Sequence, residues 1–441
     1  MRSHAVVLFA VALAGCLAES SSNAELFSTP QVPSSDPCTG ESSGPCAFPR
    51  FDMSGVELAG TFSIPGTDSR GTMINYGGSA VGVSEDGKSL YVSCRQTATG
   101  QPARGLVAKL AIPEPGARAD EIAPCEGLTM AALGRIHPDP NAYQPFLGGI
   151  LEIGGRLLVD AYISYDADGG TVRSHWSGTS LTRLQGPFSG TVKPGLVKSY
   201  MGRVPREWQS MLGGDAYVTA GYMSIISRSS YGAAFTVFTA ADVTRDDFPM
   251  TMLLGCPHSE ESCITWNTPQ SLWIYNGSEQ SGGGFIVSGT RTFIAIEREA
   301  DGPTCYGYAT RNLADHGTPF MDAVYCYSLS DPFMQKAPMG YPYRLVAKLY
   351  DLHDFVEVKN GNMAPWDVKP YDVVTLPGSQ PGESLGYTGG GAYNPVTGEY
   401  YLTRELYPMP GDSADVTVYR GFSPPPGWSP PASTASRGRR D

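Results

Sequence analysis

Charge is scarce in this chain of 441 residues, with 17% of positions charged, and the basic sign is the scarcer: 31 Lys and Arg against 43 Asp and Glu, a formal net charge of −12. A phosphate backbone is gripped by clustered Lys and Arg, so nucleic acid is excluded as a partner. Apolar runs are short, and nothing beyond the first residues approaches the roughly 20 needed to span a bilayer. Helical spacing is almost absent; the best stretch is Arg206-Glu207-Trp208-Gln209-Ser210-Met211-Leu212. Also missing are Gly-x-Ser-x-Gly, a phosphate loop, His-Glu-x-x-His and a dinucleotide fingerprint, so no familiar catalytic class announces itself. No Cys-x-x-Cys occurs, and His258 is the one histidine close in sequence to a cysteine, which argues against a structural zinc.

Glycine and proline are plentiful, at 53 and 36, with no Gly-X-Y period, and 41% of residues are hydrophobic. That composition describes a folded chain rich in turns and short strands. Segments of four to eight residues rich in Val, Ile, Tyr and Thr, broken by Gly, Pro and Asn, predict an all-β fold.

The N-terminus predicts an address. Met1-Arg2-Ser3-His4 precedes eleven apolar residues from Ala5 to Gly15, the length of a secretory h-region. The run closes with Leu13-Ala14-Gly15-Cys16, a match to the bacterial lipobox in which the cysteine is acylated and becomes the new N-terminus. Two or more acyl chains give stable anchoring. Residues 1–15 are therefore expected to be a lipoprotein signal peptide. Residues 16–50 read as the lipidated Cys16 and a Ser/Pro-rich spacer, 51–422 as the folded domain and 423–441 as a Pro-rich tail. Leu17, where an Asp would favour the inner membrane in many bacteria, points to the outer membrane.

Eight cysteines remain after Cys16, an even number that reads as disulfides in an exported protein. Sequential pairing is expected: Cys38–Cys46, Cys94–Cys125, Cys256–Cys263 and Cys305–Cys326.

Five Gly-rich openings lead into strand-turn-strand hairpins. They start at Gly77, Gly148, Gly221, Gly283 and Gly390 and continue into Leu90-Tyr91-Val92, Leu157-Leu158-Val159, Phe235-Thr236-Val237-Phe238, Phe293-Ile294-Ala295-Ile296 and Tyr400-Tyr401-Leu402. Hairpins at such spacing predict a β-propeller of five blades, with room for a sixth in the long last gap. Ring closure calls for a strand from each end in one blade, for which Gly55–Ala59 and Val416–Tyr419 are available. Two β-sandwich domains are the competing architecture, disfavoured because no linker divides the middle.

Several segments, among them Asn75-Tyr76-Gly77-Gly78-Ser79-Ala80, Ala161-Tyr162-Ile163-Ser164-Tyr165-Asp166, Ser174-His175-Trp176 and Pro365-Trp366-Asp367-Val368-Lys369-Pro370-Tyr371, resemble a family of uncharacterised exported bacterial proteins. The resemblance covers most of residues 70–405. It implies one continuous domain and transfers no catalytic residue.

Polar residues embedded in the apolar strands are the candidates for chemistry. Asp160, Glu297, Glu299 and Glu405 lie in or at the ends of second strands, and a pair of them in one pocket would suit acid/base cleavage of a glycosidic bond. The competing reading pairs each with a nearby arginine. His175 is the most suggestive histidine. Arg95, Arg228, Arg291, Arg298 and Arg404 recur beside the hairpins and would form an anion-binding fork if they converged. The turn Asp166-Ala167-Asp168-Gly169-Gly170 invites Ca²⁺ but lacks the further oxygens and the bidentate Glu of an EF-hand loop; no cofactor is expected. The reading as a whole is a lipid-anchored protein of the cell envelope that binds a glycan or surface protein at a channel mouth. A glycoside hydrolase or polysaccharide lyase is the alternative.

Overall fold

The structure is a computed structural model that describes residues 36–74, 80–119, 122–139, 144–163, 166, 169–196, 200–219, 229–257, 277–300, 304–329, 336–379, 387–405 and 414–429. The fold is all-β, and the described residues form six four-stranded sheets. Strand β1 (Glu57–Ile64) comes first. Sheet 1 then follows in order, β2 (Val81–Val83), β3 (Ser89–Ser93), β4 (Leu106–Ala111) and β5 (Glu126–Gly127). After the short helix α1 (Met130–Leu133), sheet 2 takes β6 (Pro145–Ile153), β7 (Arg156–Ile163), β8 (His175–Gly178) and β9 (Leu184–Phe188).

Sheet 3 is β10 (Met201–Arg203), β11 (Ala216–Thr219), β12 (Phe235–Phe238) and β13 (Met250–Leu254), with helix α2 (Arg206–Leu212) between its first two strands. Sheet 4 opens with β14 (Gln280–Ile286) and β15 (Thr292–Ala300). A separate inserted sheet interrupts it: β16 (Thr304–Thr310), β17 (Pro319–Phe320), β18 (Ala323–Tyr327) and β19 (Lys336–Gly340), arranged β17-β18-β16-β19. Sheet 4 resumes with β20 (Tyr343–Asp351), helix α3 (Leu352–Lys359) and β21 (Pro370–Thr375). Sheet 5 holds β22 (Tyr387–Asn394), β23 (Glu399–Glu405) and β24 (Ala414–Arg420), and β1 completes it as the outer strand by pairing antiparallel with β24.

The first strands touch in a closed cycle, β2 on β6, β6 on β10, β10 on β14, β14 on β22 and β22 on β2. Five sheets around such a cycle, sealed by strands from both ends of the chain, form an arrangement consistent with a β-propeller. Apolar clusters fill the interfaces between successive sheets. Trp176 with Leu147, Val159 and Val107 joins sheets 1 and 2, and Phe235 with Phe293 and Tyr350 joins sheets 3 and 4.

The Gly-rich openings have a packing reason. A Cβ on Gly82 would run into the carbonyl oxygen of Ile150, and one on Gly391 into the Tyr400 hydroxyl and the Gly282 carbonyl. Hydrogen at these positions is what lets neighbouring first strands approach.

Four of the five expected hairpins are present as β2–β3, β6–β7, β14–β15 and β22–β23. The third is corrected: Phe235–Phe238 pairs with Ala216–Thr219, and Gly221 to Ile226 lie outside the described residues. Helix α2 causes the difference, because it separates the first two strands of sheet 3 and no tight turn marks them. Trp208 on that helix is fully buried and donates its indole N–H to the Thr290 carbonyl at 2.9 Å, while Glu207 accepts from the Gly289 amide. The long last gap holds the end of sheet 4 together with the inserted sheet. Helix α3 was missed by the sequence pattern, although Asp351 caps it by accepting from the His353 amide.

The disulfides Cys38–Cys46, Cys94–Cys125 and Cys305–Cys326 form as expected. Cys256 is also disulfide-bonded, and its expected partner Cys263 lies outside the described residues, as does Cys16. Disulfides on this scale suit an oxidising compartment. No helix among the described residues is long and apolar enough to cross a membrane.

From Asp36 onward, the segment expected to be spacer packs on sheet 4. Buried Arg291 bonds Asp36, Asp351 and the Phe48 carbonyl; Arg50 also binds Asp351, and Phe48 lies against Trp208. In the expected tail, the ring of Trp428 covers Gly289.

Candidate functional site

Antiparallel up-and-down order puts the C-terminal ends of all second strands at one end of the ring. Arg95 follows β3, Asp160 lies in β7, Glu297, Arg298 and Glu299 lie in the last half of β15, and Arg404 and Glu405 close β23. The β2–β3, β6–β7, β14–β15 and β22–β23 turns occupy the opposite end. The structure therefore gathers most of the predicted residues at one end while spreading them over four sheets. Side chains of Arg404 and Glu405, and all of Arg228, lie outside the described residues. Arg291 precedes β15 at the turn end, seven residues from Arg298 and thus about 23 Å along the strand. Its partners are Asp36 and Asp351, and burial notwithstanding, those carboxylates raise its pKa. Arg298 stacks over the Tyr343 ring, 3.9 Å from its centroid.

The middle of the ring is crossed by side chains. Tyr200, just before β10, donates to the Gly389 carbonyl of β22 at 3.2 Å, although those two strands are not neighbours in the cycle. Arg203 of β10 reaches the Glu152 carbonyl of β6 at 2.9 Å and the Val83 carbonyl of β2 at 3.3 Å.

Two of the predicted carboxylates come together. Alternation along β15 places Phe293, Ala295, Glu297 and Glu299 on the face toward sheet 3, and the register Ala295↔Lys348 and Glu299↔Arg344 sets Lys348 and Arg344 of β20 beside them. Lys348 Nζ lies 2.8 Å from Glu297 and 3.2 Å from Glu279, and an Arg344 nitrogen lies 3.9 Å from Glu299. Glu279 was not among the predicted residues: it precedes β14 outside any strand, and its partner stands 69 positions away. Burial pushes its carboxyl up to about 8; Lys348 opposes the shift, and Glu297 and Glu299 add to it. Burial works against the Lys348 charge, but the three glutamates hold its ammonium well above the ordinary lysine value.

Glu279 and Lys348 form one wall of a cavity of about 40 Å³ between sheets 3 and 4, which Tyr231, Cys256, Trp366 and Lys369 help to line. A larger groove of about 240 Å³ lies at the turn end between sheets 1 and 5. There Arg420 binds Glu399 at 2.6 Å and Glu114 at 3.4 Å, and Tyr401 donates to Glu399.

Asp160 and His175 face each other across β7 and β8 in sheet 2, away from the glutamates. Asp160 accepts from the Gly149 amide at 2.7 Å, where β6 bulges. His175 is fully buried, contacts Ser174 Oγ at 2.7 Å and meets the edges of Phe238 and Phe248. Burial lowers its pKa to about 3, so the ring is neutral at physiological pH. Asp166 accepts from the Gly170 and Thr171 amides; Ala167 and Asp168 lie outside the described residues. Among the described residues no group of three His, Cys, Asp or Glu is placed to hold a metal.

No family model and no curated protein matches the sequence. Solved structures that overlay on it include a glycosyl hydrolase from Bacteroides ovatus, with a TM-score of 0.37 at 11% identity over 86% of this chain and 94% of that one. A glycoside hydrolase-like protein from Bacteroides ovatus ATCC 8483 gives 0.40 at 11% identity over 84% of this chain and 95% of that one. The periplasmic gluconolactonase of Pseudomonas aeruginosa gives 0.30 at 12% identity over 78% and 71%.

Proposed function

We propose that the chain is a five-bladed β-propeller, tethered to the cell envelope through acylated Cys16, that binds a glycan or a protein without chemistry. Contact is made at the end of the ring where the second strands finish. The observation that carries this reading is the internal neutralisation of the strand-end charges. Glu297 lies 2.8 Å from Lys348, and Glu299 sits opposite Arg344, on a buried face. Charge arranged in this way holds two strands and a sheet interface together and leaves binding to the surrounding surface.

One observation favours the hydrolase alternative. A carboxyl group kept protonated near neutrality, Glu279, shares Lys348 with Glu297, and such a divided pair is what acid-assisted glycoside cleavage uses.

The two readings separate in one experiment on the detergent-solubilised protein. Binding is measured on glycan arrays and by pull-down, and the same preparation is incubated with polysaccharides and their products followed. The binding reading expects a ligand whose capture is lost with Arg95→Ala or Arg404→Ala and unaffected by Glu279→Gln. Turnover abolished by Glu279→Gln or Glu297→Gln overturns it, as does the absence of any ligand across broad panels.

A further inference from the structure

The inserted sheet is not required by the five-sheet ring, and among the described residues it carries most of the exposed apolar bulk. Of seven large hydrophobic side chains exposed among the described residues, Tyr306, Leu313, Met321 and Leu329 fall within it. One of its faces is closed. Cys305, Ala309, Cys326 and Met339 are buried there around the Cys305–Cys326 disulfide.

The opposite face is aromatic, with Tyr306 exposed and Tyr308, Phe320 and Tyr325 half-buried. Two-residue alternation puts Tyr306 and Tyr308 of β16 on it, and the parallel register Tyr308↔Tyr325 adds Tyr325 of β18. Phe320 stacks on Tyr325 with ring centroids 4.1 Å apart and meets Tyr308 edge-on at 5.3 Å. Tyr306 is 46% exposed. A polar edge runs beside the rings: Lys336 binds Asp322 at 2.7 Å, the Tyr308 hydroxyl donates to Asp322 at 2.8 Å, and the Lys336 ammonium lies 5.6 Å over the Tyr306 ring.

We propose that this face is a stacking platform for a neutral polysaccharide, with Tyr306, Tyr308, Phe320 and Tyr325 as contact rings and Asp322 and Lys336 as hydrogen-bonding edge. The proposal rests on the binding function above and names its ligand class. Aromatic rings offer flat apolar faces to the C–H faces of a pyranose, and the acid, ammonium and phenol groups match the hydroxyls at its rim. Charge selects among partners. The edge holds one cation and one anion, so it has no net charge to recruit an ionic polymer, and the net −12 of the whole chain repels a polyanion. An anionic membrane surface would call for basic residues that the described residues of this face do not cluster. The position is continuous with the proposed binding end. The insertion leaves the ring after Ala300, at the end of β15, and Gly340 at its return lies against Ala300 and Ser278, next to Glu279.

The test uses the detergent-solubilised full chain and a panel of dextran, mannan, galactan and β-glucan, read by affinity electrophoresis and by calorimetry. At least one polymer is expected to bind, with affinity falling about 2- to 10-fold for each ring removed in Tyr306→Ala and Tyr325→Ala and retained in Tyr306→Phe. Tyr306→Ala alters an exposed side chain, and an unchanged thermal midpoint separates lost binding from lost folding. Binding of a polymer undiminished by Tyr306→Ala and Tyr325→Ala overturns the platform and leaves the binding function standing. No binding to any of the four polymers by the wild-type protein also overturns it, and a captured protein partner would then carry the function alone.

Discussion

The ammonium of Lys348 sits between two glutamates, 2.8 Å from Glu297 and 3.2 Å from Glu279, with no more than 5% of any of the three side chains exposed. Removing one member of such a group is costly because the others stay buried with their charge uncompensated. Lys348→Met is expected to destabilise the fold by about 3–5 kcal/mol, measured by urea denaturation. The double change Lys348→Met with Glu297→Leu should recover a large part of that loss. A single variant as stable as the wild type would show that the charges are not coupled.

Stability should also depend on pH through Glu279. Its folded value of about 8 lies above the ordinary 4.5, so between those limits the folded chain holds a proton that the unfolded chain has released. Stability from this group is complete below about pH 4.5 and declines as pH rises through 8. The thermal midpoint of Glu279→Gln should accordingly gain on the wild type between pH 5 and pH 9. A constant difference across that range would contradict the assignment.

The disulfides differ in the loops they close. Cys94–Cys125 spans 31 positions and Cys38–Cys46 spans 8. On the chain-entropy argument, Cys94→Ser with Cys125→Ser should cost about 3–4 kcal/mol and Cys38→Ser with Cys46→Ser about 2–3 kcal/mol. Loss of the shorter bridge should loosen the segment from Asp36 to Arg50 and expose it to protease while the ring stays folded, which limited proteolysis with mass spectrometry would show.

Acylation of Cys16 predicts that the mature chain fractionates with membranes, incorporates labelled palmitate and loses both with Cys16→Ser. Free-thiol titration of the denatured mature protein should find essentially no reactive sulfhydryl before reduction and, with Cys16 acylated, eight after it. A soluble product that begins downstream of Cys16 would refute the tether and leave the fold untouched.

Local features were legible in the sequence because their causes are local. Alternation and a Gly-containing turn suffice to mark β6–β7 and β22–β23, and Arg206–Leu212 is a helix where the pattern places it. The pairing of β1 with β24 was also legible, since a closed ring needs a strand from each end and few segments there qualify. Tertiary structure decided the rest. Ala216–Thr219 took the place given to the Gly221 segment because a helix intervenes, and a strand carries no mark of which strand it will meet. Glu279 finds its cation in Lys348, 69 positions on, and Tyr200 reaches across the ring to Gly389, 189 positions on. A sequence window records which side chains alternate along one strand; which charges and rings then meet across sheets depends on register and closure, and these exist only once the chain has folded.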